Sequence, residues 1–260
     1  MTRSFLSTLL AGLCAAVPLT APGCGGEEPE VPRIKKTLKS KSAPARARAA
    51  RSAGQLGPSA KEVAPDLADL LKNDRDSSVR REAAVALGQM PAQSEQAVPA
   101  LIVALEDKDT TVRNRARQAL GKIGPPAALA VPKLRENLRS EDASGRWWAM
   151  TALGGLGRAG APAVKDLMGF LASSDANLRS RAAWALGKIG PDAAQALPDL
   201  IKALRDHDSG VRAEAADALG LMGAAAAEAA PALGRMAKQD PVGPNRSTAA
   251  RALERIRGGP

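Results

Sequence analysis

Asp76, Asp109, Asp142, Asp175 and Asp208 each stand four residues before an arginine: Arg80, Arg113, Arg146, Arg179 and Arg212. Carboxylates set beside strong bases invite an acid–base reading. Repetition argues against it, because a column present in every unit is not a unique active site. The spacing predicts a structural ladder instead. Asp opens a helix as its N-cap, and Arg reaches its own or the next unit's carboxylate in a bidentate fork. His207 is the sole histidine. A His-based zinc or iron site needs at least two such ligands, and the counterparts of His207 (Arg75, Lys108, Glu141, Ser174) mark a solvated loop position. Cys14 and Cys24 make neither a disulfide framework nor a Cys-rich zinc site. The expectation is a chain with no metal, no cofactor and no catalytic set.

The elements that carry this ladder recur along the chain. Ala119-Leu120-Gly121-Lys122-Ile123-Gly124-Pro125 returns as Ala185-Leu186-Gly187-Lys188-Ile189-Gly190-Pro191. A glycine column runs through Gly54, Gly88, Gly121, Gly154, Gly187 and Gly220 at a step of 33, once 34. The arginine column is in phase with it, from Arg46 to Arg246. So is a proline column: Pro32, Pro65, Pro99, Pro132, Pro198 and Pro231, with Lys165 in the gap. Self-similarity at this period is the signature of a repeat array, here of seven units.

Each unit reads as two helices. The proline belongs to the first turn of the first helix, where its missing N–H costs nothing. Apolar residues at helical spacing follow, as in Leu200, Ile201 and Leu204. The second helix runs from about Val79 to Met90, with Val79, Ala83, Ala86, Leu87 and Met90 on one stripe. A glycine inside it costs about 1 kcal/mol against alanine, which points to helices too close for a side chain. The second glycine (Gly124, Gly157, Gly190, Gly223) suits a left-handed helix end. Only 2% of residues are aromatic and tyrosine is absent, which disfavours a β-sandwich or barrel. The whole is an all-α protein.

Residues 31–257 resemble HEAT repeats, specifically the short phycobilisome-lyase type. The resemblance implies a right-handed α-solenoid (a superhelix of stacked pairs) whose second helices line the concave face, with an Asp/Arg ladder. It says little of function, since the same units serve scaffolds, lyases and hydroxylases. The hydroxylases bind iron through His-Glu motifs that one histidine does not supply.

Residues 1–23 read as a signal peptide: Arg3 opens it, 5–16 is apolar, and Ala21-Pro22-Gly23 are small or compact. The apolar stretch is too short to span a membrane comfortably. Cys24 follows, and residues 24–30 form a short tether. The junction resembles the lipobox of bacterial lipoproteins, departing from it at Ala21, where Leu is usual, and at Pro22. This implies export to a bacterial envelope and acylation of Cys24; ordinary cleavage near Gly23 would release a soluble protein.

Net charge is +10, and residues 31–61 hold +9 of it with no acid among them. Such a cap suits either plain solvation of a terminal repeat or contact with anionic head groups. The remaining repeats are close to neutral, against the basic stripe of a nucleic-acid binder. Variation between units marks where function sits. One column reads Arg48, Glu82, Arg115, Trp148, Arg181, Glu214, Thr248; three residues on stand Arg51, Val85, Gln118, Thr151, Trp184, Asp217, Arg251. Both columns lie off the apolar stripe. Trp148 and Trp184, with Trp147 beside them and Arg115 and Arg181 as flanks, are the expected binding patch for a protein partner. The expected class is a non-enzymatic envelope scaffold or adaptor; the alternatives are a lyase-like HEAT enzyme or accessory protein and a nucleic-acid-binding helical-repeat protein.

Overall fold

The computed structural model describes residues 30–258. The signal-peptide and Cys24 expectations therefore lie outside the described residues. Fourteen α-helices stand in seven pairs. The first helices of the pairs are α1 (Glu30–Thr37), α3 (Ala64–Asn73), α5 (Ser94–Ala104), α7 (Val131–Asn137), α9 (Val164–Phe170), α11 (Leu197–Ala203) and α13 (Ala230–Gln239). The second helices are α2 (Ala43–Leu56), α4 (Ser77–Leu87), α6 (Thr110–Ile123), α8 (Ala143–Gly155), α10 (Ala176–Ile189), α12 (Ser209–Met222) and α14 (Gly243–Ile256). No strand occurs among the described residues. One continuous core runs from Ile34 to Ile256, and no single pair could bury its apolar face without its neighbours.

The glycine column is the seam between successive second helices. A Cβ on Gly88 would lie 2.8 Å from Ala119 Cα, on Gly154 2.9 Å from Ala185 Cα, and on Gly187 2.6 Å from Ala218 Cα. Glycine thus meets an alanine of the next unit, backbone against backbone. Each second helix packs along the next, whereas beyond α3 and α5 the first helices barely touch one another. Tight spacing on one side and wide spacing on the other bends the array, with the second helices on its inner face. Gly187→Ala is expected to destabilise by about 1–3 kcal/mol through overpacking, although helix propensity alone favours alanine by about 1 kcal/mol. Urea unfolding checks the sign.

Between units the chain runs through 3₁₀ segments, which the periodicity had not separated from the helices. Gly57–Val63, Pro125–Ala130, Gly157–Ala163, Gly190–Ala196 and Gly223–Ala229 take this form. Side chains three apart eclipse in a 3₁₀ turn, so Ala60 and Val63, Ala127 and Ala130, and Ala193 and Ala196 all point into the core, fully buried. Gly124 and Gly190 enter these turns at φ 73° and 78°. The second unit has Pro91 there instead, and proline is locked at negative φ. Accordingly α4 stops at Leu87, the 3₁₀ segment shrinks to Pro91–Gln93, and α5 begins early. Pro99 consequently falls inside α5 rather than in its first turn, unlike Pro65, Pro132, Pro198 and Pro231.

Candidate protein-binding face

The acid–base ladder is built from two aspartate columns, not one. Asp76, Asp109, Asp142, Asp175 and Asp208 are N-caps, accepting hydrogen bonds from the backbone N–H of Ser78, of Thr111 and Val112, of Ser144 and Gly145, of Asn177, and of Val211. The arginines go elsewhere. Arg80 forks onto Asp107 at 2.7 and 2.9 Å, Arg179 onto Asp206 at 2.8 Å twice, and Arg212 onto Asp240 at 2.7 and 3.1 Å. Arg46 meets Asp74 in the same way. Each fork crosses to the next unit's carboxylate two residues ahead of the cap, so the arginine's partner is not the capping aspartate. The reason is geometric: the cap's oxygens already point into the helix start, whereas the residue two earlier faces the previous unit. Its oxygen also accepts the backbone N–H of the cap, as Asp107 does from Asp109 at 2.8 Å. The D-x-D spelling of 74–76, 107–109 and 206–208 was visible in the sequence.

Arg113 and Arg146 have no such partner, because the receiving positions hold Ser140 and Ser173. Arg113 donates to the carbonyls of Asp107 and Lys108 and to Thr110 Oγ1. Arg146 donates to the carbonyls of Ser140 and Glu141. Beside this gap stands Arg117, which sequence reasoning missed although it is an arginine in a column of Ala50, Ala84, Met150, Ala183 and Ala216. It is 4% exposed, and neutral amides hold it: Nε donates to Asn137 Oδ1 and Nη1 to Asn114 Oδ1. Burial first, then the nearby Arg113 charge, pushes its pKa down to about 10.

The inner face is not a row of free side chains. With second helices this close, side chains of one unit lie on those of the next. Arg51 reaches across to Glu82 at 3.0 Å and 3.2 Å, leaving Glu82 buried. In the middle of the array all three tryptophans are half-buried. Trp147 and Trp148 meet edge to face with ring centroids 4.8 Å apart. The Arg181 guanidinium lies 4.0 Å from the Trp147 ring and 4.8 Å from the Trp184 ring, a cation held between two indole faces. Its Nε is buried without an acceptor, and this desolvation lowers its pKa. Burial raises the pKa of Glu214, against the pull of Arg181.

Trp147 and Trp184 also pack against the core, and the Trp184 ring covers Gly154, 2.6 Å from where a Cβ would stand. The structure therefore brings Trp147, Trp148, Trp184 and Arg181 together, but Arg181 is a filling of the patch rather than a free flank. Arg115 does not stack on the indoles; it donates along its own helix to Gln118 Oε1 at 2.8 Å. His207 lies beside Asp206 at the Arg179 fork. Among the described residues no group of three or more His, Cys, Asp or Glu is placed to hold a metal ion, and no helix is long and apolar enough to cross a membrane.

Comparison with family models matches HEAT repeats at residues 30–94, 64–154, 131–197 and 164–254. Comparison with curated proteins found no match. Among solved structures, the chain is similar to an engineered protein at 26% identity, covering 90% of this chain and 69% of that one, with a TM-score of 0.63. It shares the fold of the archaeal HEAT-like repeats protein from Thermococcus onnurineus NA1, at 16% identity, 89% and 98% coverage and TM-score 0.58. It shares it also with the CpcE–CpcF complex of phycocyanin lyase from Nostoc sp. PCC7120, at 23% identity, 93% and 100% coverage and TM-score 0.54. With matches reaching from residue 30 to residue 254, the chain belongs to the HEAT-repeat family.

Proposed function

We propose that this protein is a non-enzymatic scaffold or adaptor of a bacterial envelope that binds another protein through the inner face of its middle repeats. The observation that carries the reading is the Trp147–Trp148–Arg181–Trp184 cluster, in an otherwise alanine-rich and aromatic-poor array. Trp and Arg dominate interface hot spots, which cluster near the centre of a binding surface. The stacking fixes the rings in advance, so little side-chain entropy is lost on binding. Export and tethering through Cys24, with the basic first repeat near the head groups, complete the proposal. Cys24→Ser is the variant that addresses the tether, by moving the protein from membrane to soluble fractions.

The test separates the two kinds of tryptophan. Trp148 is half-buried and meets Trp147 edge-on, so Trp148→Ala should cost partner binding about 2 kcal/mol or more and stability under about 1 kcal/mol. Trp184 covers Gly154 and Arg181, so Trp184→Ala should lower both. A partner captured from envelope fractions by the wild type, and retained undiminished by Trp148→Ala, would contradict the proposal.

A further inference from the structure

Two inner rungs of the arginine ladder are open, on successive units, and the carbonyl half of each is kept; Arg246, in the last described unit, likewise donates only to the carbonyls of Asp240 and Pro241. In the filled rungs, Nη1 of the arginine donates to two backbone carbonyls while Nε and Nη2 hold the next unit's carboxylate. Arg80 does so with Asp74 and Arg75 at 2.8 and 3.3 Å, and Arg179 with Ser173 and Ser174 at 2.9 and 3.1 Å. Arg146 keeps the carbonyl half of this pose at 2.7 and 2.9 Å. Its Nε and Nη2 make no hydrogen bond to a described residue. Arg113 keeps it at 2.7 and 3.2 Å, with Nη2 on Thr110 Oγ1 at 2.7 Å and Nε unengaged by any described residue.

Both serines drop the charge, and Ser173 also preserves the turn bond. Ser173 Oγ accepts from the Asp175 N–H at 3.2 Å, the bond that Asp206 makes to Asp208 at 2.8 Å. Arg117, buried alongside Arg113, adds a third guanidinium without a carboxylate. The acids nearest in sequence do not fill the forks: Asp109, Asp142 and Asp175 are committed to helix caps, and the Glu141 side chain is exposed.

We propose that the forks of Arg113 and Arg146 receive two carboxylates from an acidic segment of a partner protein, which completes the ladder from outside. Four forks of the same array hold carboxylates in this pose, so the chemistry of the site is set within the molecule. Packed helices of successive units lie roughly 8–10 Å apart. An extended polyproline II segment brings side chains three residues apart onto one side at about 9 Å, which matches the pair. A single free anion reaches only one fork. The occupant is thus a segment with two aspartates or glutamates three residues apart. The site is separate from the tryptophan cluster and stands or falls without it.

The test uses the full chain and a fluorescein-labelled, proline-rich synthetic peptide carrying two aspartates three residues apart, read by anisotropy. Binding should weaken about tenfold when either aspartate becomes asparagine, in keeping with the strength of charge-assisted hydrogen bonds. Filling both rungs from within, by Ser140→Asp with Ser173→Asp, should raise Tm by several degrees and cut peptide affinity at least tenfold. Arg146→Lys keeps the charge and removes the planar fork, and should also lose about tenfold. Lys165→Gln, an exposed cation on α9 outside the pair, should leave peptide binding unchanged. The proposal is overturned if the wild type fails to bind the peptide, or if the serine-to-aspartate variant binds it as well as the wild type. It is overturned too if inorganic phosphate displaces the peptide at concentrations near the peptide's own Kd.

Discussion

Asp107→Ala is expected to cost the array about 3–5 kcal/mol, the loss typical of stranding one member of a buried ion pair. The side chains of Arg80 and Asp107 are 5% and 9% exposed, and the same carboxylate also holds the Asp109 N–H. Removing it leaves the guanidinium with two carbonyls and no carboxylate in hydrogen-bond contact, only the weaker pull of Asp109 and Asp74. Asp107→Ser separates the two tasks, because serine at position 173 keeps the turn bond in this very array. That variant should retain the turn and still show most of the loss. Stability in a stacked array is close to a sum of unit and interface terms, so the loss belongs to the junction of the second and third units. Urea unfolding with hydrogen exchange across α4 and α6 checks both size and place.

The same pair carries an acid signature. Burial raises the Asp107 pKa, but the Arg80 fork and the Asp109 N–H outweigh it and hold the group below the usual carboxylate range. A carboxyl depressed in the folded state contributes its stability in full above the unfolded pKa of about 4 and loses it as pH falls through the folded value. The wild type should therefore lose more stability than Asp107→Ser between about pH 5 and strongly acid solution.

Arg117→Met is expected to act in the opposite direction, stabilising by about 1–3 kcal/mol. A guanidinium taken out of water without a carboxylate bears a desolvation penalty of several kcal/mol, only partly offset by two neutral hydrogen bonds. The next unit has Met150 in the same column, fully buried, so the volume and shape suit the site. Asn114 and Asn137, relieved of the guanidinium, are half-buried and reach solvent. A lower midpoint in urea for Arg117→Met would mean that the arginine's amide bonds outweigh its burial.

The array was legible in the sequence because three columns repeat in phase and each has a steric or hydrogen-bonding reason. Gly187 against Ala218 and the left-handed Gly190 are constraints that only glycine satisfies well. The capping aspartates were legible for the same reason. The receiving column of Asp74, Asp107, Asp206 and Asp240 was harder to see, because Ser140 and Ser173 interrupt it. What the residues could not convey is the distance between neighbouring inner helices. A helical wheel places Trp148, Arg181 and Trp184 off the apolar stripe, and they are; exposure depends instead on what the next unit lays over them. Arg181 proved to be enclosed by two indoles, and Glu82 by Arg51 and Arg81. Arg117 is the converse case, a charge carried into an alanine column and held by Asn114 on its own helix and by Asn137 on α7, which only the folded chain brings beside it.

Site-specific photo-crosslinking tests the central claim most directly. A photoreactive residue replaces Trp148 on the inner face in one protein, and in another Val103, an exposed residue on the outer helix α5. Incubated with envelope fractions, the probe at 148 should yield one dominant protein adduct, which competes away with unlabelled wild type, while the probe at 103 yields none. The same adduct from position 103 with silence at 148 would place the binding surface on the outer helices and contradict the account.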